Sequence, residues 1–116
     1  MASFEVIGGK ALKGEIVPQG AKNEALQILC AVLLTDEPVT ISNIPDIRDV
    51  NKLIELLRDM GVKVEQLAAD TYRFQADAVN VDYLDSAEFV AQGRALRGSV
   101  MILGPMLARF GKCQLP

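Results

Sequence analysis

Between positions 22 and 34 the chain has hardly a polar face: Ala25, Leu26, Ile28, Leu29, Ala31, Val32 and Leu33 crowd one short segment. A stretch apolar all round predicts a helix buried on most sides, about Lys22 to Leu34. Thr35-Asp36-Glu37-Pro38 is its stop. Upstream the pattern has period two. Phe4 to Ile7 alternates until Gly8-Gly9, and Leu12, Gly14, Ile16 and Pro18 alternate with Lys13, Glu15 and Val17. Both segments read as short strands, a hairpin or a pair of edges, with Pro18 kept out of a central ladder.

Downstream, Val39 to Ile44 alternates cleanly and predicts another strand. Pro45-Asp46 then opens a helix for which Asp46 or Asp49 is the candidate N-cap. Val50, Leu53, Ile54, Leu57 and Met60 recur at helical spacing, opposite Asn51, Lys52, Glu55 and Arg58, so this helix is half exposed. Gly61 supplies the left-handed residue that ends it. Val62-Lys63-Val64-Glu65 and Tyr72-Arg73-Phe74-Gln75 predict two strands joined through Ala68 to Thr71. Lys22 to Gln75 is therefore helix, strand, helix, strand, strand. A leading strand would complete a β-α-β-α-β-β unit of the α/β class. Val79-Asn80-Val81 reads as the leading strand of a second unit, followed by a polar connector, Asp85 to Glu88, with capping character. A second nearly all-apolar helix, Val100 to Phe110, should kink at Pro105 and close at Gly111.

Charge changes this picture at two places. Lys22 and Asn23 stand at the mouth of the first apolar helix, where free N–H groups make a cation unfavourable by a few tenths of a kcal/mol or so. An anion in front of the helix would remove the conflict, because N–H groups and a lysine together suit a phosphate or carboxylate. A solvated lysine on a frayed turn is the alternative. Arg94 and Arg97 lie beside the second apolar helix. If that turn is helical they share a face and suit a phosphate or diphosphate, with Gly98 allowing close backbone approach. Ion pairing to Asp85 or Glu88 is the alternative. Cations at the mouths of two buried helices point to an anion-binding cleft between helix N-termini.

The bulk numbers narrow the classes. Half of the 116 residues are apolar, too many for a disordered chain. The net charge of −3 disfavours a nucleic-acid module. Histidine is absent, and the two cysteines, Cys30 and Cys113, have no metal-ligand spacing. No metal or other cofactor is expected. No export signal or membrane-length apolar run is visible, and the cysteine usage suits a reducing cytoplasm.

Several of these segments resemble the N-terminal part of the UDP-N-acetylglucosamine enolpyruvyl transferases. They are Gly20-Ala21-Lys22-Asn23 with Ala25-Leu26; Leu96-Arg97-Gly98-Ser99; Leu103-Gly104-Pro105-Met106 through Gly111; Val6-Ile7-Gly8-Gly9 with Leu12 and Gly14-Glu15-Ile16; and Asp46-Ile47 with Asp49-Val50. The resemblance runs over the whole chain. It implies a two-domain inside-out α/β barrel, each domain built from three β-α-β-α-β-β units, of which this chain holds about one and a half. Residues 1–20 would complete the other domain, and 21–116 would be the N-terminal part of the first. The implied reaction moves an enolpyruvyl group from phosphoenolpyruvate to the 3′-hydroxyl of UDP-N-acetylglucosamine, the first committed step of peptidoglycan synthesis.

By the same resemblance Lys22 and Asn23 would bind phosphoenolpyruvate, and Arg97 and Asn23 the sugar nucleotide. Arg94 inherits no role. The family's catalytic loop acid falls beyond Pro116, so no catalytic residue is expected in this chain, and Cys113 is not that acid. Such a piece should be inactive alone and should self-associate through unfinished sheet edges. Two other readings stand beside this one. One is the shikimate-pathway enolpyruvyl transferase, with the same fold and donor. The other is a β-α-β-α-β-β RNA-binding module, which should be basic with aromatics on its sheet.

Overall fold

The computed structural model describes residues 2–115. In chain order these form α1 (Lys22–Ala31), β1 (Val39–Ile41), α2 (Arg48–Asp59), β2 (Lys63–Ala68), β3 (Thr71–Gln75), α3 (Ala87–Ala95) and α4 (Leu103–Phe110). Three 3-10 turns, Val32–Leu34, Val81–Asp85 and Arg97–Ile102, lie between them.

The strongly amphipathic α2 behaves as its spacing requires. Val50, Leu53, Ile54, Leu57 and Met60 are buried, together with Leu56. The sheet beneath has order β1-β3-β2, with both neighbours antiparallel to β3. Val39 faces Phe74 on one side and Val64 faces it on the other. β1 and β2 therefore run parallel to each other, and α2 is the crossover between them. Phe74, on the central strand, is fully buried with Leu29, Leu33, Leu53, Leu57 and Phe89. Each such side chain contributes roughly 1.5–3 kcal/mol. α1 packs against α2 and the Arg97–Ile102 turn. Arg109 Nη1 donates to Leu33 O at 3.0 Å and Thr35 O at 3.1 Å, tying α4 to the end of the α1 segment.

The helix–strand–helix–strand–strand order from Lys22 to Gln75 thus matches the periodicity. Several details differ. The strands expected at Phe4–Ile7 and Leu12–Pro18 do not form. A strand needs a hydrogen-bonding neighbour, and the described residues offer these none, so Phe4 and Leu12 stay 95% and 96% exposed. The extended segment lifts the radius of gyration to 17.2 Å, against about 13 Å for a compact chain of this length.

α1 and the turn after it are covered on one side only: Gln27, Ile28, Ala31 and Leu34 face outward. β1 stops at Ile41 because Asn43 turns left-handed, with φ 57°. Neither Asp46 nor Asp49 caps α2. The N-cap is Ile47, without a side-chain bond, while Asp46 Oδ1 accepts from Asn51 Nδ2 at 2.8 Å.

The second unit departs most. Val79–Val81 is not a strand: Asn80 Oδ1 accepts from Asp82 N at 3.2 Å and starts a 3-10 turn. The polar connector does cap a helix, with Ser86 Oγ accepting from Phe89 N at 3.1 Å. That helix, α3, is rich in alanine and glycine, and its period is too faint to read. The expected Val100–Phe110 helix is split, the 3-10 turn handing over to α4 at Leu103. Pro105 falls in the first turn of α4, where its missing N–H costs no helical bond, so it does not kink the helix. Only Ile102 and Met106 of this segment are fully buried. Met1 and Pro116, the second residue of the Leu115-Pro116 pair, lie outside the described residues.

Gly61 ends α2 at φ 103°, and a Cβ there would sit 2.4 Å from Ala78 O. Gly111 ends α4 at φ 70° with nothing within 4 Å of such a Cβ. Gly61→Ala should therefore lower unfolding free energy by about 1–3 kcal/mol, and by more than Gly111→Ala. Paired urea denaturation curves measure the difference.

Candidate functional site

α1 begins without a side-chain cap. Its N-cap is Ala21, in extended conformation, so the N–H groups of the first turn have no partner from a capping side chain. The start of the helix is nonetheless firmly placed. A Cβ on Gly20 would lie 1.9 Å from Asn43 O, so only glycine permits this approach to the loop after β1. Lys22 is the first helical residue and Asn23 the second.

The lysine is not a solvated side chain on a frayed turn. Its Nζ lies 2.8 Å from Asp49 Oδ2, in the first turn of α2. The side chains are 51% and 42% exposed, so the pair is accessible to solvent and ligand. The Lys22 hydrogen bond and charge hold the Asp49 carboxyl below its ordinary range; Lys52 and Arg48 add to this, against a small opposing effect of burial.

Arg97 opens the 3-10 turn that packs on α1. Gly98 makes that packing close, since a Cβ would come 3.3 Å from Leu26 Cδ1. The close approach expected of this glycine is thus made to Leu26. Lys22, Asn23, Asp49 and Arg97 consequently line one open concavity of about 300 Å³, with Gln27 beside them and Leu26, Gly98, Val100 and Met101 on the apolar side. All three residues expected to bind ligands meet here. Among the described residues, neither Asn23 nor Arg97 spends its side chain on a hydrogen bond or ion pair within the chain.

The arginine pair needs correction. Leu96 is extended (φ −127°, ψ 103°) and separates Arg94 from Arg97, so they are not neighbours on one helix. Arg94 lies in the last turn of α3, where a cation is favoured. It shares a smaller hollow with Arg97, Gly93, Ser99, Val100 and Leu115. Asp85 pairs with Lys112 instead, at 3.1 Å. The two helix N-termini that converge are those of α1 and α2, not α1 and the second apolar helix. Asp49 is the member of the site that sequence reasoning missed, because an acid in the first turn of a helix already has a sufficient local explanation.

Two cations, an amide and uncapped N–H groups beside an apolar wall suit an anion attached to a partly apolar body. Neither cysteine lines this concavity. Burial pushes the Cys30 thiol up to about 12, and raises Cys113 as well. A second concavity, of about 110 Å³ between α1 and β1, is lined by Glu24, Ile28, Ile41 and Ile44 and has no cation.

The family model of EPSP synthase (3-phosphoshikimate 1-carboxyvinyltransferase) matches residues 6–116. The chain belongs to this family. Among curated relatives, it is 60% identical over all 116 residues to UDP-N-acetylglucosamine 1-carboxyvinyltransferase of Porphyromonas gingivalis, covering 27% of that protein. It is 61% identical over 112 residues, 97% of the chain, to the protein of the same name of Bacteroides thetaiotaomicron, covering 26% of it. The chain thus spans about a quarter of the length of the curated relatives it matches. Among solved structures, the enolpyruvyl transferase NikO from Streptomyces tendae aligns with a TM-score of 0.67 at 26% identity, over 90% of this chain and 23% of that one. The fold is therefore that of part of an enolpyruvyl transferase, the inside-out α/β class, in a piece holding a three-stranded sheet and four helices.

The ion pair gives a pH signature with a definite sign. A carboxyl whose folded pKa is depressed stabilises the fold above its unfolded value, and that contribution is lost as pH falls through the folded value. Asp49 should titrate below the ordinary aspartate range because Lys22 holds its ionised form, and Lys22→Met should move it back up. Carboxyl carbon NMR shifts followed against pH check both.

Proposed function

We propose that this chain is part of an enzyme that transfers an enolpyruvyl group from phosphoenolpyruvate to the 3′-hydroxyl of UDP-N-acetylglucosamine, and that the Lys22 concavity is its share of the ligand cleft. The observation that carries this reading is the meeting of Lys22, Asn23 and Arg97 in one open concavity, in a chain 60% identical to a protein named for that activity. Lys22 and Asn23 take the phosphate or carboxylate of phosphoenolpyruvate. Arg97 and Asn23 take the sugar nucleotide. The relatives' names favour the sugar-nucleotide acceptor over the shikimate one, although the family model carries the latter's name. The acidic charge of the chain disfavours the RNA-binding alternative. The setting is peptidoglycan synthesis in the cytoplasm, consistent with two unpaired thiols. No described helix is long and apolar enough to cross a membrane.

The chain alone should not turn over. A transition state of this kind needs groups from both sides of a closed cleft, and this chain spans about a quarter of its relatives. The exposed Phe4, Val6, Ile7, Leu12, Ile16 and Val17, with Ile28 on α1 and Leu34 in the turn after it, favour self-association. Light scattering should accordingly show mass above the monomer as concentration rises, and a constant monomer mass contradicts this.

Binding tests the site directly. Charge-assisted hydrogen bonds contribute roughly 1.5–3 kcal/mol each, so a half-site with two of them should bind in about the millimolar range. NMR titration with UDP-N-acetylglucosamine and with phosphoenolpyruvate should show Lys22→Ala and Arg97→Ala each weakening binding by about tenfold or more. Affinity unchanged in both variants refutes the assignment.

A further inference from the structure

The Lys22 ammonium carries three N–H donors, and Asp49 takes one of them at 2.8 Å. We propose that Asp49 is a positioning residue for Lys22: from the first turn of α2 it anchors one ammonium donor and leaves the other two directed at the concavity shared with Asn23 and Arg97. The inference rests on the reading of that concavity as an anion site.

Three observations carry it. First, Lys22 would otherwise be loose. Its side chain is half exposed, and a free lysine retains rotamer entropy that a ligand would have to remove. Second, the anchor is itself well placed. Asp49 lies at the uncapped N-terminus of α2, where an ionised carboxylate is favoured, with Arg48 and Lys52 adding positive charge around it. The nearby Asp46 is engaged elsewhere, accepting from Asn51 Nδ2. Third, stability does not account for the pair. An exposed ion pair of this kind stabilises a fold little. A carboxylate in an anion site also opposes ligand charge, so high affinity alone would disfavour it. The helix start alone favours an acid here; orientation of the ammonium accounts for its pairing with Lys22.

Charge and orientation separate experimentally. Asp49→Asn and Asp49→Ala both remove the negative charge, but only asparagine keeps a side-chain oxygen that can accept from the ammonium. With phosphoenolpyruvate as the probe in NMR titrations, Asp49→Asn should bind at least as tightly as the unmodified chain. It should also bind several-fold more tightly than Asp49→Ala. Equal affinities of the two variants overturn the proposal, since charge alone would then explain the residue. A readout without ligand accompanies this one. Carbon relaxation at Lys22 Cε should show the side chain ordered in the unmodified chain and in Asp49→Asn, and mobile in Asp49→Ala. Unchanged Lys22 order in Asp49→Ala also overturns the proposal. If phosphoenolpyruvate binds to none of the three but Lys22 still loosens in Asp49→Ala, the positioning role stands and the anion-site reading fails.

Discussion

Two close approaches to α1 determine where everything else in the site can be. Gly20 lies so near the Asn43 carbonyl that a single added carbon would be 1.9 Å from it, and Gly98 lies against Leu26 one turn into the helix. The first brings the mouth of α1 to the loop that leads into α2. The second brings the Arg97 turn onto the same end of the helix. Lys22, Asp49 and Arg97 are distant in sequence and have no direct reason to meet. They meet because Gly20 lets the start of α1 approach the Asn43 carbonyl, and Gly98 lets the Arg97 turn settle on the Leu26 side chain.

The electrostatics of the site follow from that packing. A cation on the first residue of a helix opposes the helix dipole, and an acid in the first turn of another helix accords with it. With the two N-termini side by side, Asp49 adds a second acid to Glu24, which already lies in the first turn of α1, and it is Asp49 that pairs with the lysine. The arrangement satisfies the lysine without burying it. On the proposed reading, a ligand anion would meet an ammonium held by Asp49, a guanidinium free of intrachain partners among the described residues, and helix N–H groups without a side-chain cap. An exposed pair is inexpensive to rearrange, which suits a contact that must be shared with a ligand.

Much of this was legible in the residues. The spacing of Val50, Leu53, Ile54, Leu57 and Met60 marked the buried face of α2, and Gly61 its end. The alternation in 62–65 and 72–75 marked the hairpin. Lys22 stood out because a cation is misplaced at a helix mouth, and the resemblance joined it to Asn23 and Arg97. What the residues could not convey was tertiary. Alternation at Phe4–Ile7 and Leu12–Pro18 describes strands only if a partner edge is at hand. Asn80 diverted Val79–Val81 into a turn through one side-chain bond. α3 has too many small residues to show a period, and the break at Leu96 that parts Arg94 from Arg97 has no local signature. Asp49 looked like an ordinary helix-start acid, because its partner lies 27 positions upstream.

The proposed docking place of an anionic ligand is the concavity between the starts of α1 and α2 and the Arg97 turn. Backbone amide shift mapping of the unmodified chain with inorganic phosphate and with UDP-N-acetylglucosamine probes it. The amides of Lys22, Asn23, Asp49, Arg97 and Gly98 should move together and saturate with one constant. Perturbations centred instead on Glu24, Ile28 and Ile41 between α1 and β1, or spread over the surface without saturation, would contradict it.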